Sequence, residues 1–440
     1  MNTSLIRKLI YIVIALIIIG AAIFTYWFYF MRSPATTVPP TNNGNNGFNP
    51  FGTSNPPITP VHNGNNGTPT TTPITGKQPL LRLLSATPVG GYGASTTAST
   101  TIIRWVDRGR GNIYEANGSS SLISIISNTL VPRIYESWWN KNADVFAAQY
   151  LNNSNDSITT VLTSIIRNPR MATSSTASIA QISSSTASNQ LTETAYQLKG
   201  KAVTGTVTGI AVSPKKDRLL LVTNEDNHSK GYISKFDGTG QVQIFDLPLS
   251  QIAVDWPEDN TITVETKAGS AFAGYLYFVN AKTGAIKQVL GGITGLSAKV
   301  SHDATQVFYS KTDSSDGGTF MNYVLDVKSG KTTDVIFRAL AEKCVWGNKN
   351  VSNIYCGVSS SIPGGSYPDD WYTGKLSFID SIWKLDTKSG QSSKMFDLLN
   401  QGNTMIDAYN MQLSGNDNFL YFMNKDDLSL WSLEFIAGSY

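Results

Sequence analysis

The stretch GYLYFVNAKTGAIKQVL, Gly274 to Leu290, decides the fold. Two runs rich in aromatic and β-branched residues flank Asn280-Ala281-Lys282-Thr283-Gly284, the pattern of two strands joined at a tight turn. The arrangement returns as NYVLDVKSGKTTDVIF (Asn322–Phe337) and SIWKLDTKSGQSSKMF (Ser381–Phe396), and more loosely as YISKFDGTGQVQIF (Tyr232–Phe245). A single hairpin says little about function. A hairpin repeated along the chain sets an architecture.

Between these hairpins runs a second repeated element, again a β run, a turn and a β run. IAVSPKKDRLLLV starts at Ile210, IAVDWPEDNTITVE at Ile252 and AKVSHDATQVFYS at Ala298, so the starts lie 42 and 46 residues apart. Related copies start at Tyr135, Lys343 and Met411. That spacing is the spacing of a propeller blade, with inner strands a and b and outer strands c and d. The expected fold is therefore all-β, a seven-bladed β-propeller, with six or eight blades still open. Units begin near Val89, Ile134, Val207, Leu249, Ile293, Ala341 and Met405. The seventh shows three strands, and LLRLLS (Leu80–Ser85) is expected to supply its fourth, closing the ring and removing an open sheet edge.

Composition agrees. Of 440 residues, 41% are hydrophobic and only 15% are charged, with 18 Phe, 19 Tyr and 9 Trp. Such a balance favours sheet over helical bundle. Arg7, Lys8 and Arg32 are the basic residues that precede Lys77; setting them aside from the 34 leaves 31, against 31 acidic residues. The neutral main domain offers no basic face for nucleic acid.

The N-terminal flank has a different character. Leu9–Met31, LIYIVIALIIIGAAIFTYWFYFM, makes a helix about 34 Å long, enough to span a bilayer. Tyr26, Trp27 and Tyr29 form an interfacial belt, and Arg7 and Lys8 hold the N-terminus in the cytoplasm. The run is longer than a secretory h-region and continues through Gly20-Ala21-Ala22, so an uncleaved anchor is expected. Residues 32–77 are a Pro/Thr/Asn/Gly-rich tract, read as a disordered linker reaching roughly 35–40 Å. The expected order is a cytoplasmic segment 1–8, a transmembrane helix 9–31, the linker 32–77 and an extracytoplasmic propeller 78–440, with the bilayer as one partner.

The run Ser-Pro-x-x-x-x-Leu-x-x-Val at Ser213–Val222 resembles the TolB-like, WD-type propeller repeat. Trp256-Pro257, Ser301-His302 and Ser414-Gly415 occupy the equivalent turns, and no unit ends in the Trp-Asp pair of true WD repeats. The resemblance implies a solvent-filled central channel and a partner-binding face, and binding more often than catalysis. It is specific for fold and does not assign an activity.

The chemistry-bearing residues are few. His62, His228 and His302 are scattered, and no HExxH, Gly-x-Ser-x-Gly or phosphate loop is present, so neither metal nor cofactor is expected. Asp313 and Asp316, Asp369-Asp370 and Asp426-Asp427 read as turn formers before they read as Ca²⁺ ligands. Cys344 and Cys356 flank the turn near Asn350, where an antiparallel hairpin can set them opposite each other; a disulfide is expected, against two buried thiols. Trp139, Trp256 and Trp346 recur at the end of strand a and read as packing between blades. The loop SSSIPGGSYPDDWYTGK (Ser359–Lys375) recurs nowhere else, making Asp369, Asp370, Trp371 and Tyr372 the ligand-contact candidates. Glu136, Asp255, Lys299 and Gln412 on inner strands are expected along the channel. The function these features favour is an envelope scaffold that binds protein, peptide or glycan. The alternatives are an enzyme or accessory module acting on glycan or peptide through carboxylates at the channel mouth, and a structural cell-surface component.

Overall fold

The computed structural model describes residues 80–435 apart from 98–99, 119, 121, 128–132, 153–156, 168–195 and 313–318. The anchor expected at 9–31, the linker, most of the Ser/Thr/Ala-rich insertion after Asn168 and the Asp313–Asp316 turn lie outside these residues. Among the described residues no helix is long and apolar enough to cross a membrane.

The described residues form seven four-stranded antiparallel sheets, six of them paired in chain order from inner to outer strand and the seventh taking its outer strand from Leu81–Ser85. Inner strands are Val89–Thr96, Ile134–Trp139, Val207–Val212, Ile252–Glu258, Ser297–Val300, Cys344–Trp346 and Ala408–Leu413. The seven-bladed propeller expected from the repeat spacing is thus the fold. Its closure is also as expected: Leu81–Ser85 pairs antiparallel with Leu430–Glu434 as the outer strand of blade seven, Leu81 opposite Leu433 and Leu83 opposite Trp431.

The core consists of wedges between neighbouring blades. Blades three and four share Ala211, Leu220 and Val222 against Ile252, Trp256 and Val264. The closing wedge sets Leu84, Tyr421 and Met423 of blade seven against Val89, Tyr92 and Trp105 of blade one. Trp139, Trp256 and Trp346 are buried in such wedges, each packed against the preceding blade. Gly93 makes room for one of them, since a Cβ there would lie 2.4 Å from the Cβ of Trp139. The reading of these tryptophans as packing between blades agrees with this placement.

The turn chemistry explains both repeated motifs. In the a–b turns the hydroxyls of Ser213, Ser301 and Ser414 are buried and each accepts, at 3.0 Å, the backbone N–H five residues on. Asn140 plays the same part in blade two, its Oδ1 accepting from Val145 N. In the c–d turns Gly284, Gly330 and Gly390 adopt φ of 72–73°, each donating its N–H to the carbonyl of Asn280, Asp326 or Asp386. The side chains of those same three residues accept from the turn backbone. Only glycine enters that left-handed region without steric cost. The Lys-Thr/Ser-Gly turn is therefore a fold marker.

Because strands alternate in direction, the a–b and c–d turns lie on one face of the ring. The b–c and d–a connections lie on the other, hereafter the loop face.

Candidate binding face

The long connection of blade six, after Asn353–Ser359, builds much of the loop face. It carries a one-turn helix, Asp369–Tyr372, and a small core of its own in which Tyr367, Trp371 and Phe378 pack with Phe320 and Leu340. Tyr367 stacks on Phe378 at 5.9 Å and meets Phe320 edge-on at 5.0 Å. The loop reaches beyond its own blade. Thr312 Oγ1 of blade five donates to Tyr367 O at 3.0 Å. Ser270 in the b–c loop of blade four donates to Asp369 through N at 2.8 Å and Oγ at 2.6 Å. The insertion is a strap across three blades.

This geometry separates the four contact candidates. Trp371 is turned inward, 3% exposed, and donates its Nε1–H to Asp407 at 2.8 Å. The expectation that it contacts ligand is corrected: a large apolar ring gains more from the loop's own core than from solvent. Asp369 is occupied by Ser270, and Asp370 by Ser366 N and Lys375. Tyr372 remains at the surface, 44% exposed. The structure joins Cys344 to Cys356 by a disulfide, directly cross-strand with Cα atoms 4.1 Å apart.

Around Tyr372 lies a group that sequence reading missed. Its hydroxyl end turns in and donates to Glu342, which also accepts from Ser297 Oγ. Burial of that end, and then the Glu342 charge, push Tyr372 ionisation well above the usual value. Glu265 accepts from Ala298 N at 3.2 Å; burial first and the charge of Glu342 second push its carboxyl well up. Deeper along the inner strands Lys299 bonds Asp255 at 2.6 Å. Burial works against both charges, but each is outweighed by the other, so the Asp255 carboxyl sits low and the Lys299 ammonium high. His302, whose Nε2 lies 3.2 Å from Trp346 O, is held below its ordinary value by burial and then by Lys299.

On the other side of the axis Glu136 of blade two feels Arg108 of blade one and Lys267 of blade four, and its charge reaches Tyr409 of blade seven. Four blades therefore converge there. The walls crowding Glu136 push its carboxyl up to about 7, even though solvent still reaches the side chain. Gln412 bridges blades seven and one, accepting from Ala94 N at 3.2 Å.

The loop face also carries exposed aromatic rings. Among the described residues the exposed aromatic side chains are Tyr135, Phe272, Tyr275 and Tyr372, and all four lie on the loop face. The exposed apolar residues of the opposite turns are aliphatic: Leu122, Val242 and Ile286. Phe272, 74% exposed, was legible as the one bulky residue in the small-residue stretch Ala268–Ala273. Glu265 and Glu342 carried no local signal, because their proximity depends on how blade four meets the connection that leads into blade six.

The chain matches no protein-family model and no curated protein. Solved structures do resemble it. An oligogalacturonate lyase from Vibrio parahaemolyticus superposes with a TM-score of 0.50 at 10% identity, over 82% of this chain and 93% of the lyase. The propeller domain of the Trilobed protease from Pyrococcus furiosus gives 0.44 at 9% identity over 79% and 95%. TolB from Acinetobacter baumannii gives 0.39 at 11% identity over 78% of each chain. At these identities the likeness is one of fold, and the class of protein the fold defines is a seven-bladed β-propeller.

Proposed function

We propose that this protein is a membrane-anchored, extracytoplasmic propeller that binds a protein, peptide or glycan of the cell envelope on its loop face. The observation that carries the reading is the gathering of the exposed aromatics, Tyr135, Phe272, Tyr275 and Tyr372, on that face. Aromatic rings offer large contact area with little side-chain entropy to lose, and recur at binding hot spots. The strap that ties Asp369 to Ser270 fixes Tyr372 and Phe272 relative to each other before any ligand arrives, which lowers the ordering cost of binding. The apolar run 9–31 supports anchoring, and the disulfide supports an oxidising compartment. Photo-crosslinking in intact cells from position 272 tests it. A reproducible partner that is lost in Tyr372→Ala and retained in Val242→Ala supports the reading; equal capture by both variants sinks it. Removal of residues 9–31 releases the protein from membranes if the anchor is real.

A second reading is favoured by Glu265 and Glu342. A carboxyl whose hold on its proton is strengthened by burial and by a neighbouring carboxylate is an arrangement suited to acid–base work on a glycan or peptide. Turnover of envelope polymers that is abolished by Glu265→Gln, with partner binding intact, identifies the protein as an enzyme.

A further inference from the structure

Beneath the strap lies a cluster of charges that a binding face does not need. Lys343, in the connection from blade five to blade six, is 1% exposed. Its Nζ bonds Asp380 Oδ2 at 2.7 Å and also bonds Asp407 Oδ1. Both carboxylates are buried as fully as the lysine. Aromatic rings enclose the ammonium, with Phe378 at 4.8 Å and Trp371 at 5.6 Å from their centroids. Asp407 Oδ2 accepts from Trp371 Nε1 at 2.8 Å, Phe378 N at 3.0 Å and Ser377 Oγ at 3.4 Å. Asp380 Oδ2 also accepts from Ala408 N at 2.7 Å, while its Oδ1 is buried with no hydrogen-bond partner.

From this geometry we propose that Lys343 and Asp407 condense into an intramolecular isopeptide bond, with Asp380 passing the protons. The pieces have the required roles. A buried amine next to a buried carboxyl is a nucleophile beside its electrophile, held without competing water. The Trp371 and Phe378 N–H groups point at one oxygen of Asp407, as donors must to stabilise the anion of a tetrahedral adduct. Asp380 touches the same Nζ and feels the Asp407 charge, and burial pushes its carboxyl up to about 6, so it can take a proton and give it back. Its unpartnered Oδ1 leaves an oxygen for that proton.

The step balances. The Lys343 ammonium gives a proton, by way of Asp380, to Asp407 Oδ1, and the neutral amine attacks Cγ of the resulting carboxylic acid. The Nζ–Cγ bond forms, Oδ2 holds the negative charge between its donors, and the bond from Cγ to Oδ1 breaks. Two of the three ammonium protons leave on Oδ1 as water, the second also by way of Asp380, and one stays on the amide nitrogen. Asp380 ends as it began. Condensation replaces the Lys343–Asp407 ion pair, which is costly to desolvate, with a neutral amide; it also takes the ammonium from Asp380, whose carboxyl, already raised by burial, then binds a proton from solvent. The bond joins positions 64 residues apart on either side of blade six, whose inner hairpin already carries the disulfide.

Intact-mass measurement of the full chain, followed by tryptic mapping, tests this. The expected mass is below that of the sequence by one water in addition to the hydrogens lost to the disulfide. Trypsin then fails to cut after Lys343, and a branched peptide joins Lys343 to Asp407. Asp380→Asn keeps the shape and removes the proton carrier; linking slows on the order of a hundredfold, and freshly made variant has the uncondensed mass. Folded wild-type protein that has the full mass and is cut after Lys343 overturns the proposal. Loss of water without a branched peptide, as in an internal anhydride or imide, overturns it equally. Linking at an unchanged rate in Asp380→Asn removes Asp380 from the mechanism.

Discussion

Ser301 has its hydroxyl fully buried at the a–b turn of blade five, giving its hydrogen to Asp303 at 2.6 Å and accepting from Gln306 N at 3.0 Å. Ser301→Ala leaves that N–H without its side-chain partner, and a loss of about 1–2 kcal/mol is expected in denaturant titration. The motif position was visible in the sequence as a repeated Ser, but the reason for the Ser was not, since the bond closes only when the hairpin folds. Asp397 shows the same logic with a charge. The Asn400 N–H bond first, and then Asn400 Nδ2 and Lys394, hold its carboxyl at about 2, below the unfolded value of 3.8. A depressed carboxyl stabilises above its unfolded value, so this contribution is present at neutral pH and disappears as pH falls from about 4 to about 2. Asp397→Asn is expected to flatten that part of the acid limb. Its cost at pH 7 should not exceed about 1 kcal/mol, because the site sits at the surface.

Among elements, the c–d turns offer a comparison within one molecule. Gly284, Gly330 and Gly390 share a left-handed φ, so alanine at any of them is strained by about 1–2 kcal/mol. At Gly330 and Gly390 an added Cβ meets nothing within 4 Å, whereas at Gly284 it would lie 2.3 Å from Ile244 O. Gly284→Ala should therefore lower thermal stability clearly more than Gly330→Ala; equal losses would show that the contact with blade three yields freely. The b–c connection of blade six follows a different rule. Its length and aromatic content were legible in the sequence, and the side on which each ring would fall was not. Trp371 and Tyr372 are adjacent on one helical turn, so one packs inward and its neighbour looks out.

For the whole molecule the decisive contact is the closure. Leu84 is 3% exposed in the wedge between blades seven and one, while Leu83, its neighbour on the same strand, is 42% exposed. If Leu81–Ser85 seals the ring, Leu84→Ala costs about 2–5 kcal/mol and Leu83→Ala close to nothing. Matching calorimetric transitions for the two variants would be incompatible with that strand pairing. The mouth predicts a pH effect at this scale too. Glu136 has a folded carboxyl near 7 against 4.5 unfolded. A raised carboxyl favours the folded ring at low pH, and that contribution fades as pH rises through this interval. Glu136→Gln is accordingly expected to raise the melting temperature at pH 8 only slightly, because solvent screens much of the exposed side chain's charge, and to leave it nearly unchanged at pH 4.

The propeller architecture, strand order, ring closure and the identity of the repeated turns followed from the sequence by itself, and the structure settled seven blades over six or eight; these features rest on local periodicity: alternation within strands, turn residues at fixed offsets, and one unit after another along the chain. What only the tertiary structure decided is which side chains meet across blades. Glu265 with Glu342, Asp369 with Ser270, and Lys343 with Asp407 come from different units, some of them far apart in the chain. No periodicity encodes such pairs. They are set by the angle at which one packed sheet meets the next and by the path of the single inserted loop.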